Sequence, residues 1–189
     1  GTNTSGAATF VGLTATPTNG MYSNGVVDKY ISMSAMTITS NVTVEFYAMV
    51  IGLTKWQRYF TMATPDTGNN WTKQVVYVAR YDSGTNMILA VGNNNVTTAN
   101  QTYNTWDHYV ITIDSNKFMA IYINGALAAS RTHSLNLSND RSLVFIGRQW
   151  NKADGANYNG YYKYCRIWTG TAMTAAQVST MYDARESAF

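Results

Sequence analysis

The chain is poor in the residues that most enzyme chemistry is built from. Cys165 is its only cysteine, so no disulfide can form within it. One Cys with two His, His108 and His133, cannot assemble a zinc site. Charged residues make up 12% of the chain, about half the usual share. The 13 Lys and Arg against 10 Asp and Glu give a net charge of +3. The cations are scattered, with no run to track a nucleic-acid backbone, so nucleic acid is not an expected partner. No apolar stretch is long enough for a membrane helix, and membrane insertion is not expected. The chain begins at Gly1 without an initiator Met, as a processed protein or a module of a longer one would.

What remains is a surface of Asn, Thr, Ser, Gly and Tyr around a 46% hydrophobic, 13% aromatic chain. That composition suits extracellular, cell-surface or virion-surface β proteins. At 189 residues the chain fits a single domain over 1–189 with its own core. Residues 1–25 suggest an edge strand and loops. Short strands are predicted at Val26–Met33, Asn41–Ile51, Trp56–Ala63, Lys73–Tyr81, Met87–Val91, Trp106–Ile113, Phe118–Ile123, Ala126–Ser130, Leu143–Gly147 and Gly160–Trp168. Strict alternation in Asn41–Ile51 puts Val42, Val44, Phe46, Ala48 and Val50 on one face. Thr43, Glu45, Tyr47 and Met49 fall on the other, which predicts a solvated face around a lone Glu45. Gly92–Asn104 reads as a polar loop, as does Arg148–Tyr158, and Asn124-Gly125 as a tight turn. One helix is expected over 174–183, capped by Thr174, with Ala175, Val178, Met181 and Tyr182 on its apolar face.

Three motifs occur in one order. They are Trp106-Asp-His108-Tyr-Val110-Ile-Thr112, then Ala120-Ile-Tyr122-Ile-Asn124-Gly125-Ala-Leu127, and last Phe145-Ile-Gly147, a polar loop, and Tyr158-Asn-Gly160-Tyr-Tyr-Lys163-Tyr-Cys-Arg166-Ile-Trp168. The set resembles the laminin-G-like, concanavalin A-like lectin/glucanase domains. The resemblance implies an all-β, two-sheet antiparallel jelly-roll sandwich with one short C-terminal helix. It also implies a groove or rim that often binds glycans. Relatives often hold a structural calcium through an Asp where this chain has Lys163. An ammonium in place of a carboxylate disfavours calcium there, and Lys163 is expected to replace the ion by donating to its carbonyl ligands, or else to point into solvent. Asp154 and Asn157 are a weaker alternative calcium pair, and no other cofactor is expected.

Glycosidases that retain configuration need two carboxylates roughly 5–5.5 Å apart. The relatives cluster theirs on one strand, whereas Glu45 has Thr43, Tyr47 and Met49 for neighbours and Glu186 is the only other glutamate. The expectation is therefore a non-enzyme. Sugars stack their C–H faces on aromatic rings and take hydrogen bonds from planar polar groups. Trp56, Trp71 and Trp150 lie in or beside polar loops, and Arg148, Asn151, Asp82 and Tyr81 supply polar or aromatic neighbours. Tyr77 and Tyr81 share a strand face, with Tyr47 expected on the same side. These residues form the expected ligand site of a lectin-like, non-catalytic glycan-binding module. The competing reading is a structural or assembly module, such as a virion spike, tail-fibre or capsid-decoration domain, whose aromatics contact other protein subunits. Cys165 is expected to be a small core residue, not a nucleophile.

Overall fold

A computed structural model describes residues 8–11, 14–16, 20–25, 30–38, 40–52, 56–64, 76–81, 85–137, 139–141, 143–148 and 157–185. Along the first half of the chain run β1 (Ala8–Val11), β2 (Thr14–Thr16), β3 (Gly20–Asn24), β4 (Tyr30–Met33), β5 (Met36–Ile38), β6 (Val42–Val50), β7 (Arg58–Ala63), β8 (Val76–Arg80) and β9 (Asn86–Val91). The second half adds β10 (Asn94–Asn100), β11 (Trp106–Ile113), β12 (Phe118–Ile123), β13 (Ala126–Thr132), β14 (Asn139–Arg141), β15 (Leu143–Ile146), β16 (Asn159–Thr169) and α1 (Ala175–Ala184). Two seven-stranded sheets result, ordered β1-β4-β15-β7-β8-β9-β10 and β13-β12-β11-β6-β16-β3-β2, with β14-β5 as a small third pair. All described pairings are antiparallel. This is the jelly-roll sandwich with one short C-terminal helix that the motifs implied.

Alternation decides which residues meet between the sheets. From the second sheet Val42, Val44, Phe46, Ala48 and Val50 join Tyr109, Ile111 and Ile113 in one buried cluster. From the first come Ile31, Phe60, Met62, Val76, Val78, Leu89, Val91, Val144 and Ile146. Tyr59 of β7 reaches across to Phe46, with ring centroids 5.7 Å apart, and to Tyr158 at 5.1 Å. Tyr162 donates its hydroxyl to the Tyr59 carbonyl at 3.1 Å, which satisfies a polar atom that burial would otherwise strand. Burial pushes the phenols of Tyr109, Tyr158 and Tyr162 well above their usual range, so they stay neutral. Cys165 is half-buried against this core, and burial, then Glu45, raises its thiol pKa, leaving it a poor nucleophile.

Gly92–Asn104, expected to be a loop, contains β10. Asparagine and threonine mask the alternation there, because only Val96 and Thr98 turn inward on this edge strand. Val96 packs on the core, while the Thr98 hydroxyl accepts from Met87 N at 3.0 Å. Of the strand expected at Val26–Met33, only Tyr30–Met33 lies within the described residues. The Asn124-Gly125 turn forms as expected, with φ of 51° and 80°.

The helix keeps its expected position and cap. Thr174 accepts from Gln177 N, and the Gln177 side chain accepts from Thr174 N at 2.9 Å, completing a capping box. Its apolar face is narrower than expected. Val178 is buried and Met181 and Tyr182 are half-buried, but Ala175 is exposed. Thr174→Ala should cost about 1 kcal/mol in a urea melt, the usual worth of an N-cap.

Candidate functional site

Two outer faces result from this sandwich, and both carry aromatic rings. On the first sheet, cross-strand pairing lines up Ser32, Phe145, Thr61, Tyr77, Ala90 and Asn95 in one row. Arg58 sits one step along β7, opposite Ala79. Its guanidinium lies 4.1 Å from the Tyr77 ring centroid and 5.9 Å from that of Trp56. Burial, partly offset by Tyr77, lowers the Arg58 pKa to about 10, so the cation persists at neutral pH.

Trp56 is held just before β7 at φ 58°, a left-handed conformation that bulky residues rarely adopt. A backbone bond from Arg80 N to Gln57 O, 2.9 Å long, ties this segment to the end of β8. That brings Trp56 edge-on to Tyr81, with centroids 5.3 Å apart, and Tyr81 is 43% exposed. Trp56, Arg58, Tyr77 and Tyr81 therefore form one continuous cluster that reaches the surface.

One strand over from β7 the chain leaves β15 through Gly147, at φ 84°. Tyr158 N donates to Gly147 O at 3.0 Å and closes a neck at the base of the Arg148–Tyr158 segment. Thr61 donates its hydroxyl to Arg148 O, also at 3.0 Å, and ties Arg148 to β7. Arg148 is 5% exposed, with its guanidinium 4.3 Å from the Tyr30 ring centroid and 5.2 Å from that of Phe145. Its buried Nε has no hydrogen-bond partner.

The outer face of the second sheet is divided. At one end α1 covers it, where Val110, Ala120 and Tyr122 pack with Val178, Met173 and Met181. Thr43 secures the approach to the helix, donating to Thr171 O and accepting from Met173 N, both at 3.0 Å. This cover overturns the expectation of a solvated Glu45. Glu45 does point outward, yet it is 1% exposed. Its Oε1 accepts from His108 Nε2 at 2.8 Å and from the Tyr164 hydroxyl at 3.1 Å. Arg166 Nη1 approaches Oε2 at 3.5 Å from a half-exposed position. Tyr182 of α1 lies 5.9 Å from the His108 ring and closes the site from above. Among the described residues, none of the hydrogen-bonding partners of Glu45 is a carboxylate.

Beyond the helix the same face carries half-buried rings packed around the buried Tyr47. The rings of Tyr22 and Tyr161 lie 4.8 Å apart, Tyr161 and Trp106 6.4 Å, and Trp106 and Tyr47 5.3 Å. The register shift between Tyr162 and Tyr164 is a bulge at Lys163. It turns Tyr161 and Tyr164 both outward, while Tyr162 and Cys165 turn to the core. Lys163 is half-buried, not extended into solvent, with Nζ 5.1 Å from the Tyr47 ring centroid and 5.0 Å from that of Trp106.

A family model for concanavalin A-like lectin/glucanases (Laminin_G_3) matches residues 23–179. The chain belongs to this superfamily. No curated protein matches it in sequence. Among solved structures it is similar to domain 4 of a GH43 extracellular arabinanase from Geobacillus stearothermophilus, in complex with arabinotriose. That match has TM-score 0.69 and 19% identity, covering 94% of this chain and 87% of that one. A CBM40 of Ruminococcus gnavus IT-sialidase, bound to α2,3-sialyllactose, matches with TM-score 0.64 and 11% identity over 77% and 83% of the two chains. Trypanosoma rangeli sialidase in complex with sialic acid matches with TM-score 0.74 and 14% identity, over 95% of this chain but 30% of the enzyme. The superfamily chain therefore spans about a third of that sialidase.

Within this superfamily domain the expected ligand residues fall into three groups. The structure brings Trp56 and Tyr81 together on the first sheet, and it places Arg148 just past the end of β15, the strand beside β7, on the same outer face. Trp71, Asp82, Trp150 and Asn151 lie outside the described residues, as does Asp154 of the alternative calcium pair. Tyr47 belongs to the other sheet, so it cannot share a face with Tyr77 and Tyr81, because alternation fixes a face only within one sheet. Sequence reasoning did not assign Arg58, Tyr30 and Phe145 to the site. The available signal was Arg58 itself, a cation at the head of an otherwise apolar strand.

Proposed function

We propose that this superfamily domain is a non-catalytic glycan-binding module acting through the outer face of its first sheet. The observation that carries the reading is the surface-reaching cluster of Trp56, Tyr81, Tyr77 and Arg58. Trp56 and Tyr81 provide ring faces for sugar C–H groups, and the strained backbone at Trp56 is the kind of cost concentrated at ligand clamps. The fold is shared with domains solved in complex with arabinotriose and with sialyllactose, which supports a sugar ligand. Such a module suits a secreted, cell-surface or virion-surface protein. Glycoside hydrolysis is not part of the proposal, because the outward glutamate is spent on His108 and Tyr164. Calcium is not part of it either, since the position the relatives give to an acid holds an ammonium facing two rings.

A glycan array tests this. Trp56→Ala should lower the strongest array signal at least tenfold, the loss expected from about 1.4 kcal/mol or more of stacking, while the melting temperature stays within a few degrees. An unchanged signal moves the site off this face.

The half-buried row Tyr22, Tyr161 and Trp106, backed by the buried Tyr47, favours a second reading, an assembly module whose rings meet another protein subunit. Sedimentation of the concentrated domain tests it. A strict monomer removes the homo-oligomeric form of this reading, and a dimer lost in Tyr161→Ser supports it.

A further inference from the structure

We propose that the glycan bound on the outer face of the first sheet is anionic, and that Arg148 seats its negative group. The inference rests on the preceding reading of that face and adds the charge of its ligand. Arg148 is 95% buried by its 5% exposure, yet among the described residues it pairs with no carboxylate and its Nε is buried without a partner. A desolvated cation is costly unless an anion or several acceptors compensate it. Tyr30 and Phe145, whose rings meet edge to face, pack against the guanidinium. Nε is enclosed, so the terminal N–H groups are the ones left to meet an oxyanion.

The surroundings are built for this. Thr61 holds the Arg148 backbone from below through its 3.0 Å hydrogen bond. Phe145, Thr61 and Tyr77 are neighbours in one cross-strand row, so Phe145 and Tyr77 stand two strand spacings apart, about 10 Å. Arg148 lies over the first ring and Arg58 over the second. Two cations thus bracket a span of one to two sugar rings, with Trp56 and Tyr81 continuing beyond Arg58. A neutral sugar has no group that recovers the cost of a buried charge. A carboxylate of a sugar acid or a sulfate ester does.

The test is an array of acidic glycans, each beside its methyl-esterified or desulfated counterpart, probed with the intact domain. Binding should fall roughly 10- to 100-fold when the charge is removed, the usual worth of a charge-assisted pair. Loss on esterification assigns a carboxylate and loss on desulfation a sulfate. Arg148→Met should reproduce the loss for acidic glycans and leave the melting temperature unchanged or higher, because it removes an uncompensated buried charge. A lower melting temperature with full acidic-glycan binding would make Arg148 structural and overturn the proposal. Equal binding of neutral counterparts, still dependent on Trp56, overturns the charge assignment and leaves the glycan face standing. No binding to any glycan removes both.

Discussion

Glu45→Ala should cost about 3–5 kcal/mol of folding stability, the range for breaking a buried charged pair from one side. The carboxylate is fully enclosed and is the acceptor shared by His108, Tyr164 and Arg166. Removing it leaves His108 with both ring nitrogens buried and unpartnered, since Nδ1 already lacks a partner. The Arg166 contact adds little, because at 3.5 Å and half-exposed it is screened by water. Glu45→Gln keeps an oxygen for His108 and for Tyr164, and should recover much of the loss. Equilibrium urea unfolding of the two variants checks this. Equal and small losses for both would mean that the outer face of β6 is solvated after all.

Gly160→Ala should be comparably damaging, about 3 kcal/mol or more, as expected for overpacking that side chains cannot relieve. Gly160 pairs with Val50 in the central β6–β16 ladder. A Cβ there would overlap the Met49 carbonyl oxygen and come within 2.9 Å of the Tyr158 ring. The first obstacle is backbone in the middle of a sheet, so relief requires β16 to separate from β6. With a urea m-value of about 2 kcal/mol/M, the midpoint should drop by roughly 1.5 M. A shift under a few tenths would show that the two strands can separate locally at low cost.

The sequence carried the sandwich well because its two central strands alternate strictly. β6 and β11 place every second residue in the core, and β11, β12 and the Thr174 cap were legible almost to the residue. The edges were less so. β10 turns only Val96 and Thr98 inward, and an edge strand bound on one side needs no more. The fate of Glu45 was hidden for a different reason. Alternation gives the direction of a side chain, but not what comes to rest on that face. Here a helix more than a hundred residues later in the chain covers it. The ligand cluster was half visible. Trp56 and Tyr81 stood out as aromatics at loop edges, whereas Arg58, Tyr30 and Phe145 reach the same face through strand pairings that no local window contains.

The neck formed by Gly147 and Tyr158 has a further implication. The backbone bond joining these two residues fixes both ends of the intervening segment to the sheet, with Tyr158 inside the core and Arg148 on the outer face. Whatever lies between is held by its ends. Selection can therefore rewrite the middle of that segment without disturbing strand registration. Insertions between these two residues should be tolerated as in any long surface loop, at a small cost in closure entropy.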